Sequence, residues 1–283
     1  MSAKSTPAEV AVPPRDIRFD LEAARKGHWF AGDPVGTAVF NALSLTFPDG
    51  ERVFIDAVRH YRGAVDGKLA DDVRGFIAQE SIHSREHHAL NQLIDRDRYP
   101  VAEIEEAIRK RIAFARSRGP MRMLIATIAL EHFTAMMADM HAAHLEMFDG
   151  VAPSIERLWR WHAMEETEHK AVAFDVFMRV TRRWPPFVRY IRRTLAMAVI
   201  SYVFTRNITR YAARLLEADG YTPKAALKAV KRFVWREPGV FSRGWKTYFA
   251  WYRPGFHPWD HDNRALIERW KAEFDAAVQP AAA

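Results

Sequence analysis

Two stretches decide the reading of this chain: Gln79-Glu80-Ser81-Ile82-His83, which runs on to Glu86-His87-His88, and His162-Ala163-Met164-Glu165-Glu166-Thr167-Glu168-His169. Each contains Glu-x-x-His, as Glu80 with His83 and Glu166 with His169. A helix turns about 100° per residue, so positions i and i+3 share a face. A carboxylate and an imidazole so placed can reach one cation side by side. A di-metal helical bundle uses such a pair on each of two helices and one Glu from each of two more. One Glu-x-x-His says little, because helices are rich in Glu. Two on separate helices, with acids available on two others, say much more.

The surrounding pattern is helical throughout. Residues 69–93 read as one helix, with Phe76, Ile77, Ile82 and Leu90 apolar, and residues 155–182 as another, with Ser154 as its cap and Pro185-Pro186 as its stop. Residues 101–116 form a charged amphipathic helix. Residues 121–147 form a long one, almost uncharged at its start and therefore buried. Glu131 interrupts that apolar run, and a carboxylate there must be paired, protonated or metal-bound. Pro48-Asp49-Gly50-Glu51 reads as a turn opening a helix over 51–61. Its acids are Glu51 and Asp56. Glu51 is preferred as a ligand for its length, although an acid in a first turn also serves the helix dipole. The expected fold is all-α, a four-helix bundle with additional C-terminal helices.

His162 lies four residues before Glu166 and seven before His169, so the three share a face. It is read as a further metal ligand, against the alternative of a core histidine bonded to a backbone carbonyl. The expected metal set is thus Glu51, Glu80, His83, Glu131, His162, Glu166 and His169. His87 bears the same relation to Glu80 and His83. His87 and Glu86 are the catalytic candidates, His87 as a base or partner of the ligands and Glu86 as a group orienting a histidine. Glu165 has the same alternative role. Solvated side chains are the plain reading for Glu86, Glu165 and Glu168. His132, His141, His144, His257 and His261 read as structural.

The chain has 283 residues and no cysteine, so disulfides, thiolate metal sites and a cysteine nucleophile are excluded. It divides into a flexible tail (1–16), a single helical metal-binding domain (17–275) and a second tail (276–283). Within the domain the bundle core spans about 48–184 and a C-terminal extension 187–275. Trp235, Trp245, Trp251, Trp259 and Trp270 are expected to cement that extension onto the bundle. The net charge of +7 carries no nucleic-acid motif with it and reads as a basic surface. The apolar run 195–204 is too short to span a bilayer, which takes about 20 residues. A buried helix is expected there, with a helix on the membrane surface as the alternative. No secretory signal is evident, so a cytoplasmic location is expected, with a peripheral contact on the inner membrane face and a homodimer as partner expectations.

The run Phe47-Pro48-Asp49-Gly50-Glu51, the Glu80 to His87 segment, Glu131, the His162 to His169 segment and Gly255-Phe256-His257-Pro258 together resemble the bacterial predicted metal-dependent hydrolase family, from about residue 17 to near 270. The ligand pattern is also similar to ferritin-like di-iron carboxylate proteins, and His162, Glu166 and His169 are spaced as in the aminobenzoate N-oxygenases. These resemblances imply a ferritin-like bundle holding two metal ions, iron first, with manganese or zinc as alternatives. The leading expectation is an oxidase or oxygenase that activates O₂ at two irons and oxidises a small organic, apolar substrate with an outside electron donor. A metal-dependent hydrolase using an activated water is the alternative. A non-catalytic metal-binding or membrane-surface protein is the third reading.

Overall fold

The computed structural model describes residues 5–278. Helix α1 (Pro34–His60) starts where the chain allows it to: Asp33 caps it, accepting from the Val35 and Gly36 amides, and Pro34 fits the first turn because its missing N–H has no helical partner there anyway. The helix then runs straight through Pro48. The expected turn at 48–51 is therefore wrong, and Glu51 sits in mid-helix. A proline inside a helix leaves the carbonyl four residues earlier, here Ser44, without its donor. The Asn91 side-chain amide supplies the replacement at 3.0 Å.

Helices α2 (Gly67–Asn91), α4 (Pro120–Ala143) and α5 (Pro153–His169) complete a four-helix layer with α1. The helix expected over 155–182 is broken: α5 stops at His169 and α6 (Val172–Val180) resumes it. Lys170, at the joint, is buried and donates to the His261 carbonyl and Asn263 Oδ1. Helix α4 is long and apolar enough to cross a membrane, but most of it is buried in this bundle. The charged helix α3 (Val101–Ser117) and the 33-residue α7 (Pro186–Ala218) flank the layer. Beyond them come α8 (Pro223–Trp235), capped by Thr222, α9 (Trp245–Ala250) and α10 (Arg264–Val278).

The apolar core is divided in two. Along α1 one cluster ends at Phe47 and the other begins at Val53; along α4 one ends at Ala129 and the other begins at Phe133. On α5 the first cluster ends at Met164, and the second begins at Val172 on α6. A layer of buried polar residues lies between the two clusters.

Three expectations are corrected here. Residues 5–16 are packed and not a free tail. Thr6 binds Asp175, Val10 and Val12 are buried, and Arg15 is 1% exposed among carboxylates. Residues 1–4 and 279–283 lie outside the described residues, while 276–278 belong to α10. The run 195–204 is not wholly buried: Leu195 is 62% exposed and Tyr202 67%. They continue an apolar face of α7 with Phe187, Ile191 and Val199, because only the opposite side meets the bundle. Of the tryptophans, Trp251 and Trp270 are buried, but Trp235 and Trp245 are exposed.

The strap over 5–16 crosses α2 at Gly75. A Cβ there would lie 2.1 Å from the Val12 carbonyl oxygen, a backbone atom that cannot step aside. Gly75→Ala should therefore lift the strap, lower stability by about 1–3 kcal/mol, and make residues 5–16 cleavable in limited proteolysis. An unchanged digestion pattern and melting temperature would refute this account of the strap.

Candidate metal centre

Seven side chains expected from the sequence meet in the polar layer: Glu51 from α1, Glu80 and His83 from α2, Glu131 from α4, and His162, Glu166 and His169 from α5. All are buried. Their donor atoms fall into overlapping groups of Glu51, His83 and His162, of Glu80, Glu131 and His169, and of Glu80, His83 and Glu166. Two carboxylates span the groups. Glu166 Oε1 lies 2.9 Å from His162 Nε2 while its Oε2 lies 3.5 Å from His169 Nε2. Glu80 Oε2 lies 3.8 Å from His83 Nδ1 while its Oε1 lies 3.4 Å from His169 Nε2. Asp56, the alternative to Glu51, faces away and pairs with Arg116.

Most of the donor atoms lack partners. Glu51 Oε1, both oxygens of Glu80, His83 Nδ1, both oxygens of Glu131 and His169 Nε2 are buried without a hydrogen bond. Orphaned polar atoms are rare in folded proteins and each costs about 1–3 kcal/mol. Seven in one spot are explained by cations. Four carboxylates also balance the charge of two divalent ions, and mixed carboxylate and imidazole donors suit iron, manganese or zinc. The residues present fit such a pair.

The surroundings fix each imidazole so that its bare nitrogen faces inward. His83 Nε2–H donates to Glu165 Oε2 at 2.9 Å, leaving Nδ1 free. His169 Nδ1–H donates to Gln79 Oε1 at 2.9 Å, leaving Nε2 free. Gln79 is held in that orientation because its Nε2 donates to Glu168 and to the Pro13 carbonyl. His162 is set by a longer line that begins at Pro48. The Asn91 amide nitrogen serves the freed Ser44 carbonyl, so Asn91 Oδ1 accepts from Ser44 Oγ at 2.7 Å. Ser44 Oγ then accepts from His87 Nδ1 at 2.9 Å, and His87 Nε2 from His162 Nδ1 at 2.7 Å. His162 Nε2 points toward Glu51 and lies 2.9 Å from Glu166 Oε1. His87 is therefore buried and acts through His162. Ser84 Oγ and Thr134 Oγ1 donate to Glu51 and Glu166.

One guanidinium braces this outer ring. Arg15 Nη1 lies 3.1 Å from Glu165 and 2.7 Å from Glu168, and its Nη2 donates to Glu168 at 3.0 Å. Burial alone would lower the pKa of Arg15; the two carboxylates, Glu168 foremost, more than reverse that. Glu165 and Glu168 are thus not solvated. Glu86 is the one expected site residue that the centre does not include. It is buried elsewhere, accepting from Arg18, Arg85 and the Phe19 amide. Arg15, Gln79, Ser44 and Asn91 were missed from sequence. The Glu-Glu-x-Glu run at 165–168 was the available hint, since so much charge beside buried ligands needs a cation.

The family model for predicted metal-dependent hydrolases matches residues 13–262. The chain belongs to that family. No curated protein and no solved structure matches it. Within this metal-dependent hydrolase family member, the buried His and Glu clusters are where metal ions fit.

Protonation follows from the same geometry. Burial, reinforced by neighbouring carboxylates, pushes Glu51, Glu80 and Glu131 well above the usual carboxylate range. Burial acts to raise Glu166 as well, but His169 and His162 beside it hold it well below that range. Burial lowers His83 and His87, so both stay neutral. In the metal-free chain the raised acids bind more protons folded than unfolded. Their stability contribution is complete below an unfolded pKa of about 4.3 and is lost as pH rises toward the folded values. Metal binding must displace those protons. The rise in melting temperature on adding Zn²⁺ should therefore grow from pH 5 to pH 8, with affinity increasing about tenfold per pH unit for each proton displaced. A pH-independent shift would count against ion binding at these carboxylates.

Arg15→Ala leaves Glu165 buried without its cation and Glu168 with only Lys271, 3.8 Å away. It should cost about 3–5 kcal/mol and weaken metal binding by about 10–100-fold. Denaturant unfolding and chelator competition measure the two effects. Loss of stability with unchanged metal affinity would show that the brace does not reach the histidines.

Proposed function

We propose that this protein is a hydrolase that works with two divalent metal ions in the polar layer. The observation that carries the reading is the set of buried, unpartnered donors from four helices, open to a cavity of about 810 Å³ at Glu51, His162 and Glu166. Family membership supports hydrolysis over the oxidative alternative. When bound, such an ion pair supplies an activated water at neutral pH and polarises the bond to be cut.

Glu51, Glu80, His83, Glu131, His162, Glu166 and His169 would hold the ions. The chain's own groups do the rest. Glu51 faces the cavity and is placed to take the proton lost by water. Ser84 fixes one Glu51 oxygen, leaving Oε1 as the free atom. His87 keeps His162 oriented. Phe54, Leu130 and Phe204 keep bulk water from the cavity wall.

The same wall supports a second reading, an iron oxidase or oxygenase, because apolar surroundings protect reactive species from water. Metal analysis of protein purified from its native host, followed by assays on esters and amides, separates the two. The expectation is about two ions per chain, zinc or manganese, with hydrolysis that falls at least 100-fold in Glu80→Ala. Iron with substrate-dependent O₂ consumption, and no hydrolysis, would replace the first reading by the second. Absence of any bound transition metal would remove both.

A further inference from the structure

The cavity beside the centre has two chemically distinct ends. Its body, between α3 and α7, is lined by Ile108, Ile112, Leu130, Ile200 and Phe204, interrupted by Thr127 and Asn207, each with an unpartnered oxygen. Its deep end is the buried face of Glu51, His162 and Glu166. Its mouth is exposed and basic, with Lys110, Arg111, Arg118 and Arg122 on the rim. Arg111 leans on the Tyr211 hydroxyl and Lys110 lies 3.6 Å from Glu106. Arg118 and Arg122 have no carboxylate partner among the described residues. Arg116, in the last turn of α3, is by contrast neutralised by Asp56. Phe114 and Val199 add exposed apolar surface at the mouth.

A volume of about 810 Å³ is well within the range of sites that enclose a small molecule. Apolar walls select a hydrocarbon chain. Arg118 lies over the Phe114 ring, 5.5 Å from its centroid, but guanidinium groups at the opening that have no carboxylate partner select an anion. We infer that the cavity holds a single-chain anionic amphiphile, its chain inside and its anionic group on Arg118 and Arg122. This rests on the metal centre being the reactive site and adds the substrate class to it. The end of the chain farthest from the anion is the part presented to Glu51 and Glu166. The bond hydrolysed is thus an ester or amide carried on the chain, remote from the charged group, with water adding across it to give an acid and an alcohol or amine.

Titration calorimetry on the full chain, zinc-loaded and zinc-stripped, tests this with octanoate, decanoate, dodecanoate and neutral dodecanol, all below micelle-forming concentrations. Affinity should rise about fourfold for each methylene added, and dodecanoate should bind more tightly than dodecanol. The surface variant Arg118→Glu/Arg122→Glu should lose at least tenfold for dodecanoate and nothing for dodecanol. Ile200→Trp, which fills the cavity, should weaken both, with circular dichroism confirming the fold. Equal binding of dodecanoate and dodecanol, or no effect of charge reversal, overturns the assignment. So does dodecanoate affinity that vanishes on stripping zinc, because the anion would then sit on the ions. Absence of binding by any probe overturns it while leaving metal content and hydrolysis to stand or fall on their own measurements.

Discussion

Charge burial governs this molecule. Four carboxylates, Glu51, Glu80, Glu131 and Glu166, are buried between two apolar clusters, away from bulk solvent. A lone ionised carboxylate in such a place is too costly to keep, so it is protonated, paired or bound to a metal. Apart from the Ser84 and Thr134 hydroxyls, the protein partners close by are imidazoles, and His83, His162 and His169 each turn one ring nitrogen toward the acids. The layer is therefore built for cations. Every helix of the bundle contributes to it, so the register of α1, α2, α4 and α5 is tied to one small volume.

Stability and chemistry are in tension here. A continuous apolar core would be simpler to fold than one cut in two by charge. The cut is maintained by an outer ring whose members have no direct part in holding ions. Arg15 pairs with Glu165 and Glu168; these aim His83 and, through Gln79, His169. Pro48 acts at longer range. By removing one backbone donor it creates a vacant carbonyl, and satisfying that carbonyl fixes the proton positions along Asn91, Ser44, His87 and His162.

Much of the centre was legible in the sequence because helical spacing is a local property. Glu-x-x-His at 80–83 and 166–169 needs only the helix repeat to put both groups on one face, and Glu131 stands out against the apolar run before it. What local pattern could not supply was whatever depended on distant partners. Pro48 looked like a helix start, since a proline there leaves a carbonyl unmet and its donor is on another helix. Residues 5–16 looked like a tail because their anchors, Asp175, Gln79 and Glu168, lie far along the chain. Glu86 looked like a neighbour of the centre, but its turn of α2 faces Arg18 and Arg85. The exposed face of α7 was misjudged because apolar residues signal burial only where something packs against them.

Arg15 also touches Asp275, at 2.6 Å and a separation of 260 residues. A chain leaving the ribosome makes Arg15 early and Asp275 near the end of the described residues. The brace around the histidines is thus tied to both ends of the described chain. Displacing α10 would strip Arg15 of its most exposed carboxylate contact, while Glu165 and Glu168 stay against it.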